Sequence, residues 1–325
     1  MQSTADRETP ENRLSRRSFL HGAASLGASA LPGGTRLHGQ QRPAAPPFRQ
    51  AMCNEAFASG NDKKSFAETC KAIRKAGYTG IEVAPFTLSD DPIAIPAPQR
   101  REYASIIKSE GLTLTGLHWL LLAPKGLHVT TPDKALRERS WLHMRNLIDF
   151  CADLGPDGMM VLGSPQQRAV TGGLSQAEAV KNFTAGLAGI APHAVERGVK
   201  VLIETFSSRR DDVATMLADA YAIVRQIDSP GIQMMFDCNN ESNEAEPHTT
   251  LVDRYFDYIK HVHITEKGGP YPGTGSYDYK PVLSVLRRRG YQGWLSLEVF
   301  DFSAGADKIA QESFKYIQSE IAKLG

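Results

Sequence analysis

Four short stretches carry side chains able to do chemistry: V-L-I-E ending at Glu204, M-M-F-D ending at Asp237, H-V-H ending at His263 and L-S-L-E ending at Glu298. Each places an acid or an imidazole at the close of a short apolar run. One such residue alone reads as a helix cap, an ion-pair partner or a packed core histidine. Four in succession, 33, 26 and 35 residues apart, need a common explanation. Three carboxylates and one imidazole gathered at one point repel each other unless something neutralises them, and a divalent cation does so. A set of three oxygens and one nitrogen favours Mn2+, with Mg2+ or Co2+ as further candidates, over a thiolate-seeking zinc site.

To meet, these residues must be held by a scaffold that brings the ends of successive strands together. From residue 48 the chain alternates between strand-like and helix-like segments. Strands are expected over 48–54, 79–83, 112–117, 158–162, 199–204, 232–237, 259–263 and 294–299. Helices are expected over 63–75, 99–110, 131–153, 175–197, 212–227, 248–256, 279–289 and 306–323. Thr131-Pro132-Asp133 offers a capping hydroxyl and a proline for a first turn. Ser175 to Glu178 reads as a capping box. A helix, a glycine and then a strand recur at Gly77, Gly198 and Gly290. Eight alternating pairs in about 280 residues imply parallel strands with crossover helices, and a (β/α)8 TIM barrel rather than an open doubly wound sheet. No G-x-G-x-x-G follows the first strand, which removes the simplest dinucleotide-binding reading. In such a barrel the four residues end strands five to eight, on the face where barrel chemistry occurs.

The rest of the composition narrows the partners. The chain has 325 residues, 41% hydrophobic and 22% charged, with a formal net charge of +1. That balance gives no electrostatic support for a nucleic-acid partner. Cys53, Cys70, Cys151 and Cys238 form no C-x-x-C pair and read as buried thiols. At the N-terminus, Ser15-Arg16-Arg17-Ser18-Phe19-Leu20 resembles a twin-arginine export signal. A mildly apolar run to Leu31 follows, too short to span a bilayer, with a small-x-small cleavage pattern at Ala28-Ser29-Ala30. The expected organisation is a signal peptide over 1–30, a proline-rich linker over 31–47 and a catalytic barrel over 48–325. The expected location is the periplasm, with no stable membrane anchor after cleavage.

I-E-T at 203–205, F-D-C-N-N at 236–240, H-V-H at 261–263, P-G-T-G at 272–275 and G-Y-Q-G-W-L-S-L-E at 290–298 together resemble the sugar phosphate isomerase/epimerase superfamily. This xylose-isomerase-like barrel group includes ketose 3-epimerases, inosose dehydratase and, more distantly, endonuclease IV. The likeness spans the chain after the linker, G-Y-T-G-I-E-V at 77–83 included. It implies that Glu204, Asp237, His263 and Glu298 hold a divalent metal and that Glu204 and Glu298 are the acid/base pair. It also implies a sugar substrate and leaves room for a homo-oligomer.

Around that quartet the pattern departs. Asn240 stands where ketose 3-epimerases usually have histidine, Gly269 where they have arginine, and Arg210 where they have glutamate. Those positions normally help hold a free ketose. The substrate-side candidates in this chain are therefore His118, Asn240, Lys267 and Arg210, with Glu266 and Arg209 beside them and Trp119 as a pocket wall. The loop with P-G-T-G is expected to shape the pocket, and His261 to be a deeper residue that packs or supports the ligands from behind. The expected function is metal-dependent isomerisation or epimerisation of a non-phosphorylated carbonyl sugar. Elimination from a keto-sugar or 3-keto-glycoside is the alternative. A phosphodiesterase would need more histidines and a basic face, and a non-catalytic sugar-binding protein would not need two metal-bound glutamates.

Overall fold

The computed structural model describes residues 48–58, 63–208 and 211–325. The signal peptide and linker read over 1–47, and Arg209 and Arg210, lie outside the described residues. Eight strands run in chain order: β1 (Arg49–Cys53), β2 (Gly80–Val83), β3 (Thr113–Leu117), β4 (Met159–Leu162), β5 (Lys200–Ile203), β6 (Ile232–Asp237), β7 (Ile259–Ile264) and β8 (Trp294–Leu297). Each pairs in parallel with the next, and β8 pairs with β1, closing the barrel. The (β/α)8 architecture expected from the alternation is the observed one.

The helices are α1 (Phe66–Ala76), α2 (Ala97–Ser109), α3 (Lys134–Leu154), α4 (Pro165–Arg168), α5 (Gln176–Glu196), α6 (Leu217–Ile227), α7 (His248–Tyr255), α8 (Tyr279–Arg288) and α9 (Ala306–Ala322). The capping box at Ser175 opens α5 as expected: the Ser175 hydroxyl accepts from the Glu178 N–H while the Glu178 carboxylate accepts from the Ser175 N–H. Gly77, Gly198 and Gly290 all take positive φ, ending their helices in a conformation that costs glycine little.

Three helix starts come three or more residues later than expected. α1 begins at Phe66 rather than Lys63, because Ser65 caps it by accepting from the Glu68 N–H. α3 begins at Lys134, because Asp133 rather than Thr131 caps it by accepting from the Leu136 N–H at 3.1 Å. α6 begins at Leu217, five residues later than expected. Asp212 is engaged instead by Arg168 and by the Ala214 N–H. The short helix α4, not foreseen, delivers that arginine.

Burial divides the molecule into two apolar regions. A large cluster fills the space between the sheet and the surrounding helices. A small separate one, Val161, Leu202 and Met235 with Met159 against it, belongs to β4, β5 and β6. Strand side chains alternate, so Leu202 shares a face with Glu204, and Met235 with Asp237. This small cluster is the apolar filling of the barrel interior beneath those two acids.

Candidate active site

β5 and β8 end one residue before Glu204 and Glu298, Asp237 is the last residue of β6, and His263 is the penultimate residue of β7. The register places Asp237 directly beside His263, and His263 beside Ser296. The consequence is convergence. His263 Nδ1 lies 3.0 Å from Glu298 Oε2, 3.8 Å from Glu204 Oε1 and 3.9 Å from Asp237 Oδ2. One donor atom from each of the four lies within 4.8 Å of the others, and all four side chains are buried.

Such a cluster is costly as it stands. Two unit charges 4 Å apart repel by about 4 kcal/mol at an effective dielectric of about 20, and one imidazolium cannot neutralise three carboxylates. Burial, then the Glu204 charge, pushes Asp237 up to about 6, despite the opposing effect of His263. Burial pushes Glu298 up to about 7, against the pull of His263. His263 itself is raised: burial opposes its charge, but Glu82 and Glu298 outweigh that.

The two oxygens of Asp237 divide the space. Oδ1 accepts from Asn239 N at 2.7 Å, Asn240 N at 2.5 Å and Thr265 Oγ1 at 2.8 Å. Oδ2 is buried with no hydrogen-bond partner. A bare carboxylate oxygen within a ring of two further carboxylates and an imidazole fits a divalent cation. The hard oxygens with one nitrogen suit Mn2+, Mg2+ or Co2+.

Above the cluster opens a cavity of about 280 Å³, lined by His118, Trp119, Gly163, Ser164, Pro165, Glu204, Phe206, Ser208, Asn240, Glu298 and Phe300. Its floor is polar. Asn240 Nδ2 donates to Glu204 Oε1 at 2.9 Å, and His118 Nε2 pairs with Glu55 Oε2 at 2.8 Å. His118 is raised to about 9: burial opposes its charge, but Glu55, through charge and hydrogen bond, outweighs it. The rim is apolar, with Trp119, Phe206, Pro165 and the half-exposed Phe300. Trp119 and Ser164 are non-glycine residues at φ 53° and 47°, a sparsely populated region that recurs at functional sites.

Two expectations about the loop after β7 are corrected. Lys267 is exposed and does not line the cavity, and neither do the P-G-T-G residues. The reason is Glu266, whose carboxylate turns back into its own loop. It accepts from the N–H groups of Lys267, Gly273 and Tyr277, at 2.8, 2.9 and 3.0 Å. The loop is thus wound around a buried acid, away from the mouth. His118, Asn240 and Trp119 do line the cavity.

Residues that sequence reasoning did not single out also matter. Arg168 is fully buried, donates to the carbonyls of Leu162 and Glu204 at 2.6 Å each, and pairs with Asp212. Glu82, in the middle of β2, accepts from both His261 and His263. The signal for Glu82 was present as a lone acid inside the apolar strand G-I-E-V. Arg168, closing the one-turn helix α4, gave none.

A parallel eight-stranded barrel with three carboxylates and an imidazole gathered at the C-terminal ends of β5–β8 defines a class of (β/α)8 barrels with a candidate cation site at the mouth. Within that class the chain belongs to the xylose isomerase-like TIM barrel family, whose pattern matches residues 70–320. A ketose 3-epimerase of Arthrobacter globiformis is 23% identical over 242 residues, covering 74% of this chain and 80% of that one. The structure of an L-ribulose 3-epimerase superposes with a TM-score of 0.72 at 19% identity, covering 86% of this chain and 96% of the other. That of a 3-keto-D-glucoside 4-epimerase from E. coli gives 0.70 at 19% identity, covering 84% and 100%.

Proposed function

We propose that the protein is a divalent-metal-dependent sugar epimerase or isomerase, acting on a non-phosphorylated carbonyl sugar by removing the proton beside the carbonyl. The observation that carries this reading is the unpartnered Asp237 Oδ2 among Glu204, His263 and Glu298 on the floor of an open cavity. These four would hold the cation. When bound, it supplies carbonyl polarisation and stabilises the charge that develops on the carbonyl oxygen.

The chain's own residues do the rest. Glu204 and Glu298 both reach the cavity, so a substrate seated between them presents one face of its reacting carbon to each. One carboxylate takes the proton, and the C–H electron pair moves into the enolate. The other then delivers a proton to the opposite face, which inverts the centre; delivery to the neighbouring carbon gives isomerisation instead. Asn240 holds Glu204 Oε1, leaving Oε2 to act beside Gly163. General acid–base catalysis of this kind contributes roughly 10²- to 10⁴-fold.

The aromatic rim supports a substrate that keeps a ring or an aglycone above the reacting centre. The described lining residues include no lysine or arginine to hold a phosphate. Epimerisation of a keto-glycoside, as performed by one of the structural relatives, fits that rim. The same rim favours a second reading, in which the enolate expels the aglycone as a leaving group. Incubation with Mn2+ and a panel of ketoses and 3-keto-glycosides in deuterated water, followed by NMR, separates these outcomes. Deuterium beside the carbonyl with a new epimer supports the first, and a released aglycone supports the second. Absence of exchange with every substrate, in protein shown to bind Mn2+, overturns both. Glu298→Gln is expected to lower turnover by about 10²- to 10⁴-fold.

We also propose that the protein is exported by the twin-arginine route and works in the periplasm. A neutral-sugar pocket accords with that location. Replacing Arg16 and Arg17 by lysine is expected to leave the full-length protein in the cytoplasm on cell fractionation; unchanged distribution would refute the export reading.

A further inference from the structure

Beneath the cluster the barrel interior is filled in two unlike ways. Under β4–β6 it is apolar, with Met159, Val161, Leu202 and Met235. Between β2 and β7 it holds Glu82 and His261, both almost wholly buried. Burying a carboxylate is costly, and an apolar filling of similar volume is often as stable or more so. The neighbouring half of the same barrel shows that such a filling is compatible with this fold. The polar half therefore calls for a reason beyond packing.

The geometry supplies one. Glu82 Oε1 accepts from His263 Nε2 at 3.1 Å, and Glu82 Oε2 pairs with His261 Nε2 at 2.8 Å. His261 and His263, two residues apart on β7, present their rings to the same face and grip one carboxylate through its two oxygens. Glu82 is itself held by the ladder of β2, with Cys53 as its partner on β1 and Gly116 on β3. A carboxylate fixed at both oxygens cannot turn away from His263. It fixes the ring of His263 with the proton on Nε2, so that Nδ1 is the nitrogen turned to Glu204, Asp237 and Glu298.

We infer that Glu82 is a positioning residue, clamped by His261, that holds the ring of His263 in the one orientation that turns Nδ1 to a divalent cation. The inference rests on the proposed metal-dependent function for its purpose, and on the hydrogen-bond geometry for its structure. Carboxylates that orient a ligating histidine in this way typically alter metal affinity 10- to 100-fold when changed.

Two measurements test it. The first is Mn2+ affinity by equilibrium dialysis, for the wild-type chain, Glu82→Gln and the shorter conservative Glu82→Asp. Glu82→Gln should weaken Mn2+ binding 10- to 100-fold, with much of the lost turnover restored by excess Mn2+, and Glu82→Asp should fall between. A purely structural Glu82 would lower the unfolding midpoint and leave Mn2+ affinity alone, and that result overturns the inference. The second is nitrogen-15 NMR of the histidine rings in the metal-free wild-type protein. The Nε2 protons of His261 and His263 should both be exchange-protected and shifted downfield by hydrogen bonds to a carboxylate, and Nε2 protons without that shift overturn the inference even if the Glu82 variants fail to fold. The two readings fail differently. Wild-type protein that binds no Mn2+ overturns the metal-dependent function and with it the purpose assigned to Glu82, while the Nε2 proton still decides whether the clamp exists.

Discussion

A Cβ added at Gly163 would stand 2.2 Å from Glu204 Oε2, closer than real contacts allow, with the Glu204 carboxyl carbon next at 3.4 Å. Glycine here makes room for the carboxylate rather than relieving the backbone. Gly163→Ala is therefore expected to displace the Glu204 side chain, weakening Mn2+ affinity and turnover while leaving the unfolding midpoint nearly unchanged. Mn2+ titration and turnover beside thermal melts check this, and no change in either affinity or turnover would show that the Glu204 carboxylate is not displaced. Glu241 makes a different kind of prediction. It is buried, takes a hydrogen bond from Thr205 Oγ1 on one oxygen and has no partner for the other. Burial holds its pKa well above the ordinary carboxylate range, more than the Thr205 bond lowers it. The folded state therefore keeps a proton that the unfolded chain has released. Its contribution to stability is fully present below the ordinary carboxylate pKa and is lost as pH rises towards the raised value. Glu241→Gln should lack this loss. Urea midpoints at pH 5, 6.5 and 8 should show the wild type falling relative to the variant; a pH-independent gap would mean that Glu241 is ionised in the native state.

Arg168, the last residue of α4, shows how one side chain braces two elements. Its guanidinium donates to the carbonyls at the end of β4 and just past the end of β5, pairs with the buried Asp212, and lies 5.1 Å from the Phe206 ring at the cavity wall. Removing one member of a buried pair leaves the other charge uncompensated, at a cost of about 3–5 kcal/mol. Arg168→Met should lose that much in urea unfolding, and adding Asp212→Asn should recover part of it, since the stranded charge is gone. Equal losses in the single and double variants would show that the carbonyl contacts, not the ion pair, dominate. This strut also explains the limits of reading the sequence. The barrel was legible because eight apolar runs alternate with helical periodicity, and the site acids were legible because each closes such a run. α4 was not, because P-Q-Q-R has no periodicity and its role depends on Asp212, forty-four residues away. The start of α6 was misplaced for the same reason: a long-range ion pair took the residue expected at the helix start. Lys267 was read into the pocket because its loop follows β7, and nothing local shows that the neighbouring Glu266 winds that loop onto itself.

At the scale of the whole barrel, the acid cluster is a source of strain that a cation would relieve. The strand ladder closes on itself, so the backbones that carry Glu204, Asp237, His263 and Glu298 cannot separate without breaking the pairing of β5 with β6, β6 with β7 or β7 with β8. Repulsion among them is then carried as lost stability of the entire domain. A cation that binds only the folded state stabilises it by about 2.7 kcal/mol at a concentration a hundredfold above its Kd. For a domain of this size that corresponds to a rise in Tm of about 5 °C or slightly more. Thermal melts of metal-stripped protein with added Mn2+ should show this rise, and EDTA should reverse it. Asp237→Asn removes one acid while keeping the shape, so its metal-free form should melt no lower than the metal-free wild type, apart from the Oδ1 contacts it must preserve. Its response to Mn2+ should be much smaller. If Mn2+ leaves the wild-type melt unchanged at every concentration tried, the cluster is not a cation site, and the four residues must be held together by protons alone.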